Sequence, residues 1–318
     1  MTGLLRPSAR ASVFALACAL IVAVSPASAQ RAQGRDPSWS FENAEPAWTA
    51  GAGPLVAFSR RHSGFVANRS HEPLAQLAAS DGLRTTVIDG VEPGEAKVLV
   101  LINNYRPDWR EFPAMDPPSA FSDAEIDRVR NWVEGGGALL ILADHAPLGG
   151  GASKLAAAFG FTFLNGHVAE DRSAEAGYAH VNLDFRPGSG LATNHPVTDG
   201  ATGRKPIQKF HAFGGQAFIP AAGATTLLAI PQGWSAILAF DVHRNLGSEL
   251  KIDASGMAQG AAMEFGKGRV AIFGEAGGFS AQLMPGDVRM GFNTAEGAEN
   301  PEFVVALLRW LVDYRPSD

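Results

Sequence analysis

Four apolar runs in this chain end in residues that could do chemistry. Pro54–Phe58 leads into Ser59, Arg60, Arg61 and His62; Lys97–Ile102 is followed by Asn103 and Asn104. Ala138–Ala143 runs into Asp144 and His145, and Arg269–Phe273 into Gly274 and Glu275, with Ser280 shortly after. Two imidazoles and two carboxylates are a set that can hold a divalent metal, with Asp144 and His145 as candidate ligands. They can equally supply a general base and the group that orients it. On this reading His62, Asp144, His145 and Glu275 are the catalytic candidates, and Asn103, Asn104 and Ser280 bind the ligand. Each residue also has a structural alternative. Asp144 can cap the turn that follows it, His145 can be a hydrogen-bonded structural histidine, and Glu275 can pair with Arg60 or Arg61. The remaining histidines, 71, 167, 180, 195, 211 and 243, are scattered without metal-binding spacing. There is no G-x-S-x-G elbow and no phosphate-binding P-loop. The glycine run 149–151 can receive an anion at a helix N-terminus or simply turn the chain. No cofactor beyond a possible divalent metal is called for.

Those strand ends share one rim only if the strands run parallel, and the pattern of elements argues that they do. A helix is expected over residues 71–80, with Ser70 as N-cap and Asp81-Gly82 as its stop. Ser122 and Glu125 form a capping box, and Phe121 and Ile126 a hydrophobic staple, at the start of a helix that ends in Gly135-Gly136-Gly137. A short helix follows over 152–159. Strand and helix alternate, as in βαβ units on a parallel sheet. The stretch 103–121 carries four prolines and is expected as an exposed loop bordering a pocket. Beyond residue 160 the chain becomes strand-rich, with short strands expected at 161–163, 207–211, 226–230, 235–240 and 261–265. It closes with a helix capped by Asn300, with Pro301 in its first turn.

The chain has 318 residues, 46% hydrophobic and 18% charged, which is globular composition. Residues 1–29 read as an export signal: Arg6 and Arg10, then an uncharged apolar stretch over 11–24, then the small-x-small site Ala27-Ser28-Ala29. Fourteen apolar residues are too few to span a bilayer, so no membrane span is expected after cleavage. The protein is expected to be exported, to the periplasm or beyond. The single cysteine, Cys18, lies inside the signal, so the mature chain has no thiol nucleophile and no disulfide. It carries 24 basic against 32 acidic residues and no basic stripe, which argues against a nucleic-acid partner. Residues 30–50 read as an irregular lead-in, and 51–318 as a single domain.

Several segments carry a family resemblance: His62–Ser63 leading into HEPLAQLAASDGLR (71–84), FSDAEIDRVRNWVEGGGALLILADHAPLGG (121–150), NHPVTDG (194–200) and GKGRVAIFGEAGGFSAQ (266–282). The chain resembles the class I glutamine amidotransferase-like superfamily, and within it a family of exported bacterial proteins with a domain of unknown function. The resemblance implies a flavodoxin-like three-layer α/β sandwich with a mostly parallel sheet and an elaborated, strand-rich second half. It does not imply amidotransferase activity, because the family's catalytic cysteine has no counterpart here. Two functions remain open. One is a hydrolase-like enzyme working from the His/Asp/Glu rim. The other is a non-catalytic periplasmic ligand-binding or scaffold domain, for a small-molecule, carbohydrate or cell-envelope ligand.

Overall fold

The computed structural model describes residues 33–112, 116–171, 181–238 and 250–316. The expected export signal lies outside the described residues, as do His180 and His243.

A two-residue strand, β1 (Gly34–Arg35), precedes the alternating part of the chain. There β2 (Leu55–Ser59), the single turn α1 (Gly64–Ala67), α2 (Glu72–Ser80) and β3 (Arg84–Ile88) are followed by β4 (Val98–Ile102). Then come α3 (Asp123–Glu134), β5 (Ala138–Leu142) and α4 (Ser153–Ala157). The second half is almost all strand: β6 (Thr162–Phe163), β7 (His167–Glu170), β8 (Asn182–Pro187), β9 (Gly190–Leu191), β10 (Phe210–Phe213) and β11 (Phe218–Ile219). It continues with β12 (Thr225–Ala229), β13 (Trp234–Leu238), β14 (Leu250–Asp253), β15 (Ala258–Phe265), β16 (Gly268–Phe273), β17 (Ala281–Met284) and β18 (Val288–Gly291). The helix α5 (Asn300–Leu311) closes the chain.

The main sheet runs β10-β8-β9-β12-β15-β16-β5-β4-β2-β3, with β11 and β6 branching from β15. Its five strands β16, β5, β4, β2 and β3 are mutually parallel. Most other pairings are antiparallel, including the hairpin β15–β16 and both small sheets, β1-β17-β18 and β14-β13-β7. The sheet is therefore mixed, and the expected mostly parallel, flavodoxin-like sheet is corrected to a five-stranded parallel tract with a large antiparallel extension. The physical reason is connection length. From β6 to β16 the described residues offer two- to eight-residue strands joined by Gly- and Pro-containing turns, with no α-helix among them to carry a parallel crossover.

The parallel tract is buried on both faces. Residues alternate along β4 and β5: Val98, Val100, Ile102, Leu140 and Leu142 pack with Leu74 and Leu77 of α2 and Phe303 and Leu307 of α5. Leu99, Leu101, Leu139 and Ile141 face Ile126, Val129 and Val133 of α3 and Leu155 of α4. This two-sided burial explains why those strands read as continuous apolar runs.

Caps separate the good sequence signals from the misleading ones. The Ser122–Glu125 capping box forms in both directions. Ser70 does not cap α2; its hydroxyl donates to Phe65 O, and His71 takes the cap position. Asn300 is not the cap of α5 either. It is fully buried inside the first turn and clamps β10, its Oδ1 accepting from His211 N and its Nδ2 donating to His211 O and Gly278 O. The lead-in has little regular structure, yet it is fastened down. Trp39 packs on Phe292, Trp48 on Tyr314, and both Asn43 and Ala47 donate to Asp81.

Candidate functional site

The parallel tract carries its carboxyl ends to one rim, where hydrogen bonds sew neighbouring loops together. After β2, Ser63 Oγ donates to Ile102 O at 2.5 Å, and Tyr105 N donates to His62 O at 2.9 Å. Asn104 Nδ2 donates to Arg61 O. Next along, Asn103 Oδ1 accepts from Asp144 N at 2.8 Å. Gln216 Nε2 donates to the carbonyls of Ala143 and Asp144, both at 2.9 Å. The Asp144 carboxylate in turn accepts from His145 N at 2.7 Å and from the Ala276 amide. The rim thus runs without a break from His62 to Glu275. Its residues do not, however, all face one space.

Asp144, His145 and Glu275 form one end. Glu275 is fully buried, and its carboxyl accepts from Phe213 N, Gly277 N and Gly278 N. Burial, with the nearby Asp144 charge adding to it, pushes its proton affinity well above the usual carboxylate range. Asp144 is partly exposed and is also raised, by loss of solvation that outweighs the pull of His145 and two amides. His145 is exposed; its Nδ1 lies 2.8 Å from Ala146 O, and since a carbonyl oxygen can only accept, Nδ1 is the donor. Glu275 pairs with neither Arg60 nor Arg61: Arg60 pairs with Asp89 and Arg61 with Glu125. Behind this end His71 is buried, Nε2 donating to Ala276 O at 3.0 Å, and burial holds its pKa at about 4.

A divalent metal does not fit here. No group of three or more His, Cys, Asp or Glu among the described residues could hold one. The Glu275 carboxyl is fully buried and accepts from backbone amides on both oxygens, so it is not offered to an ion in solvent. Ser280 does not face a ligand: it is fully buried, donates to Gly277 O and accepts from Gln282 Nε2. The glycine run 149–151 is a packing device and not an anion loop. A Cβ at Gly149 would overlap the Gln216 amide, and one at Gly151 would overlap the Asn104 carbonyl.

His62 opens the other end of the rim. It lines an open recess of about 580 Å³ together with Arg61, Arg106, Asp108, Ser119 and Ser122. Partial burial and the neighbouring Arg61 charge hold its imidazole below the ordinary pKa. Topology gives this recess its meaning. From β2 the chain goes outward to β3, then crosses back to β4 on the opposite side. The strand order therefore reverses between β2 and β4, and at such a switch point loops diverge and leave a crevice. His62 and Asn103, the residues just past those two strands, both take positive φ, 51° and 45°. Left-handed backbone at non-glycine residues is characteristic of functional loops. The sequence pointed to His62 and to the proline-rich loop 103–121. Arg106, Asp108, Ser119 and Ser122 were not singled out as ligand contacts, because no local motif marks them; only the strand reversal brings them opposite His62.

No family profile and no curated protein matches the sequence. Among solved structures, the mmIFT52 N-terminal domain is similar with TM-score 0.52 at 14% identity, over 81% of this chain and 96% of that one. A protein described as ThuA-like from Bacteroides uniformis is similar with TM-score 0.45 at 11% identity, over 87% and 96%. A cytoplasmic protein from Salmonella typhimurium gives 0.45 at 10%, over 83% and 100%. At these identities the first of the three likenesses speaks to the fold alone: an α/β architecture built on a large mixed sheet.

Proposed function

We propose that this is an exported ligand-binding protein of amidotransferase-like descent, holding a small polar molecule in the recess between the carboxyl ends of β2 and β4. One observation carries the reading: a recess of about 580 Å³, within the usual size range of small-molecule sites, lies where the strand order reverses. Its lining offers donors from Arg61, Arg106 and two serines and an acceptor in Asp108. The absence of a thiol from residues 30–318 and the sealed state of Glu275 favour binding over turnover. The test is a thermal-shift screen of small polar metabolites on the wild-type protein and on Ser119→Phe, which fills the recess. Hits lost in the variant support the site. Hits that survive a folded variant place binding elsewhere and overturn it.

A second reading keeps metal-free hydrolysis, favoured by Asp144 and Glu275 standing together with raised proton affinity beside the exposed His145. A proton held on the Asp144–Glu275 pair would serve a leaving group, and His145 would activate water. Turnover of chromogenic ester or glycoside substrates, abolished by Asp144→Asn, would establish it. Turnover indifferent to that change would remove it.

A further inference from the structure

The charges around the switch-point recess define the class of molecule it takes; this inference rests on the binding reading above. Two guanidinium groups face the space, the side chains of Arg61 and Arg106 being 37% and 43% exposed. Both are held in place. Arg61 Nε lies 3.0 Å from Glu125, whose side chain is only 12% exposed and is tied back to Ser122 N and Oγ at 2.8 Å each. Glu125 therefore orients Arg61 from behind without lining the recess. Arg106 is gripped through Nε and Nη2 by the two Asp108 oxygens, which leaves its Nη1 edge unused in that pair. The lining thus presents two fixed cations and one carboxylate. Ser122, the N-cap of α3, and Phe121 before it line the recess as well, but Asp123 and Glu125 in the first turn offset the helix dipole, so the two guanidinium groups carry the attraction. Planar guanidinium forks suit carboxylate and phosphate oxygens, whereas Asp108 can accept only from hydroxyls or amines.

We propose that the recess binds a small polyhydroxylated acid, its carboxylate or phosphate on Arg61 and Arg106 and its hydroxyls on Asp108 and the two serines. The experiment is titration calorimetry of the whole mature chain with glucose, glucuronate and glucose 6-phosphate, at low and at high salt. The expected result is that at least one acid binds tenfold or more tighter than glucose and weakens in salt; which acid wins tells carboxylate from phosphate. Arg106→Gln should lower that affinity by about tenfold, the scale of one charge-assisted hydrogen bond, and leave glucose unchanged. Asp108→Asn, which removes the carboxylate that holds Arg106 and accepts the hydroxyls, should weaken the acid and glucose alike. Glucose binding as tightly as both acids would overturn this inference and leave the recess reading standing. Binding of none of the three would overturn both. An unchanged acid affinity in the two variants would place the anion elsewhere.

Discussion

Among the described residues Asp81 and Arg309 form the deepest ion pair, with side chains 0% and 2% exposed. The carboxylate takes Arg309 Nη2 at 2.6 Å and Nε at 2.8 Å, a two-pronged pair, and also accepts from Asn43 and Ala47. The guanidinium spends its remaining protons on the carbonyls of Glu45, Thr202 and Gly203. Asp81→Ala would leave a cation in the interior with no counter-ion, only carbonyls and the Tyr314 ring beside it. Removing one partner of a buried pair costs about 3–5 kcal/mol, against a total stability of about 5–15 kcal/mol for a typical domain. Two orphaned donors on the lead-in add to that. Replacing both charges, Asp81→Leu with Arg309→Met, removes the unpaired charge and should recover most of the loss. Urea unfolding of the wild type, each single variant and the double variant closes the cycle. A single-variant cost under about 1 kcal/mol would refute the reasoning. So would a double variant as unstable as the sum of the two singles.

Two further outcomes follow from the rim and its surroundings. Gly151→Ala pushes a methyl group into the Asn104 carbonyl and the Tyr105 backbone, so it should cost about 1–3 kcal/mol and weaken ligand binding in the recess; unchanged unfolding and binding would mean that loop yields freely. His71 and His195 are both held at about 4, chiefly by burial, against 6.5 for a free imidazole. Their folded forms are neutral, so the unfolded chain takes up protons first. The stability they contribute is whole above pH 6.5 and is lost as pH falls towards 4. His71→Gln should flatten the fall in denaturant midpoint across that window, and an unaltered slope would assign it to other groups.

The parallel half of the fold was legible because its signals are local. Buried-type strands, the Ser122–Glu125 box and the glycine stops each declare themselves within a few residues. In the antiparallel extension several strands were marked by short apolar runs, but their direction and pairing were not, since strands such as β11 are two residues long and pair with β6 and β15 far along the chain. Asn300 shows the same limit: next to Pro301 it reads as a cap, but tertiary contact turns it into a clamp on His211. At the rim, position was readable from strand ends, whereas facing was not. Nothing in the sequence around Glu275 says that its carboxyl is sealed by Phe213, which arrives from a strand 62 residues earlier.

The Asp81–Arg309 pair also sets an order of events for a growing chain. Its two halves are 228 residues apart, so the carboxylate is made long before its counter-ion exists. Until α5 is complete, Asp81 has no reason to leave water, and the lead-in donors that depend on it have nothing to lock onto. Contacts of such sequence separation form late, because loop closure must come first. The lead-in therefore docks on Asp81 in its final form only after α5 has been made.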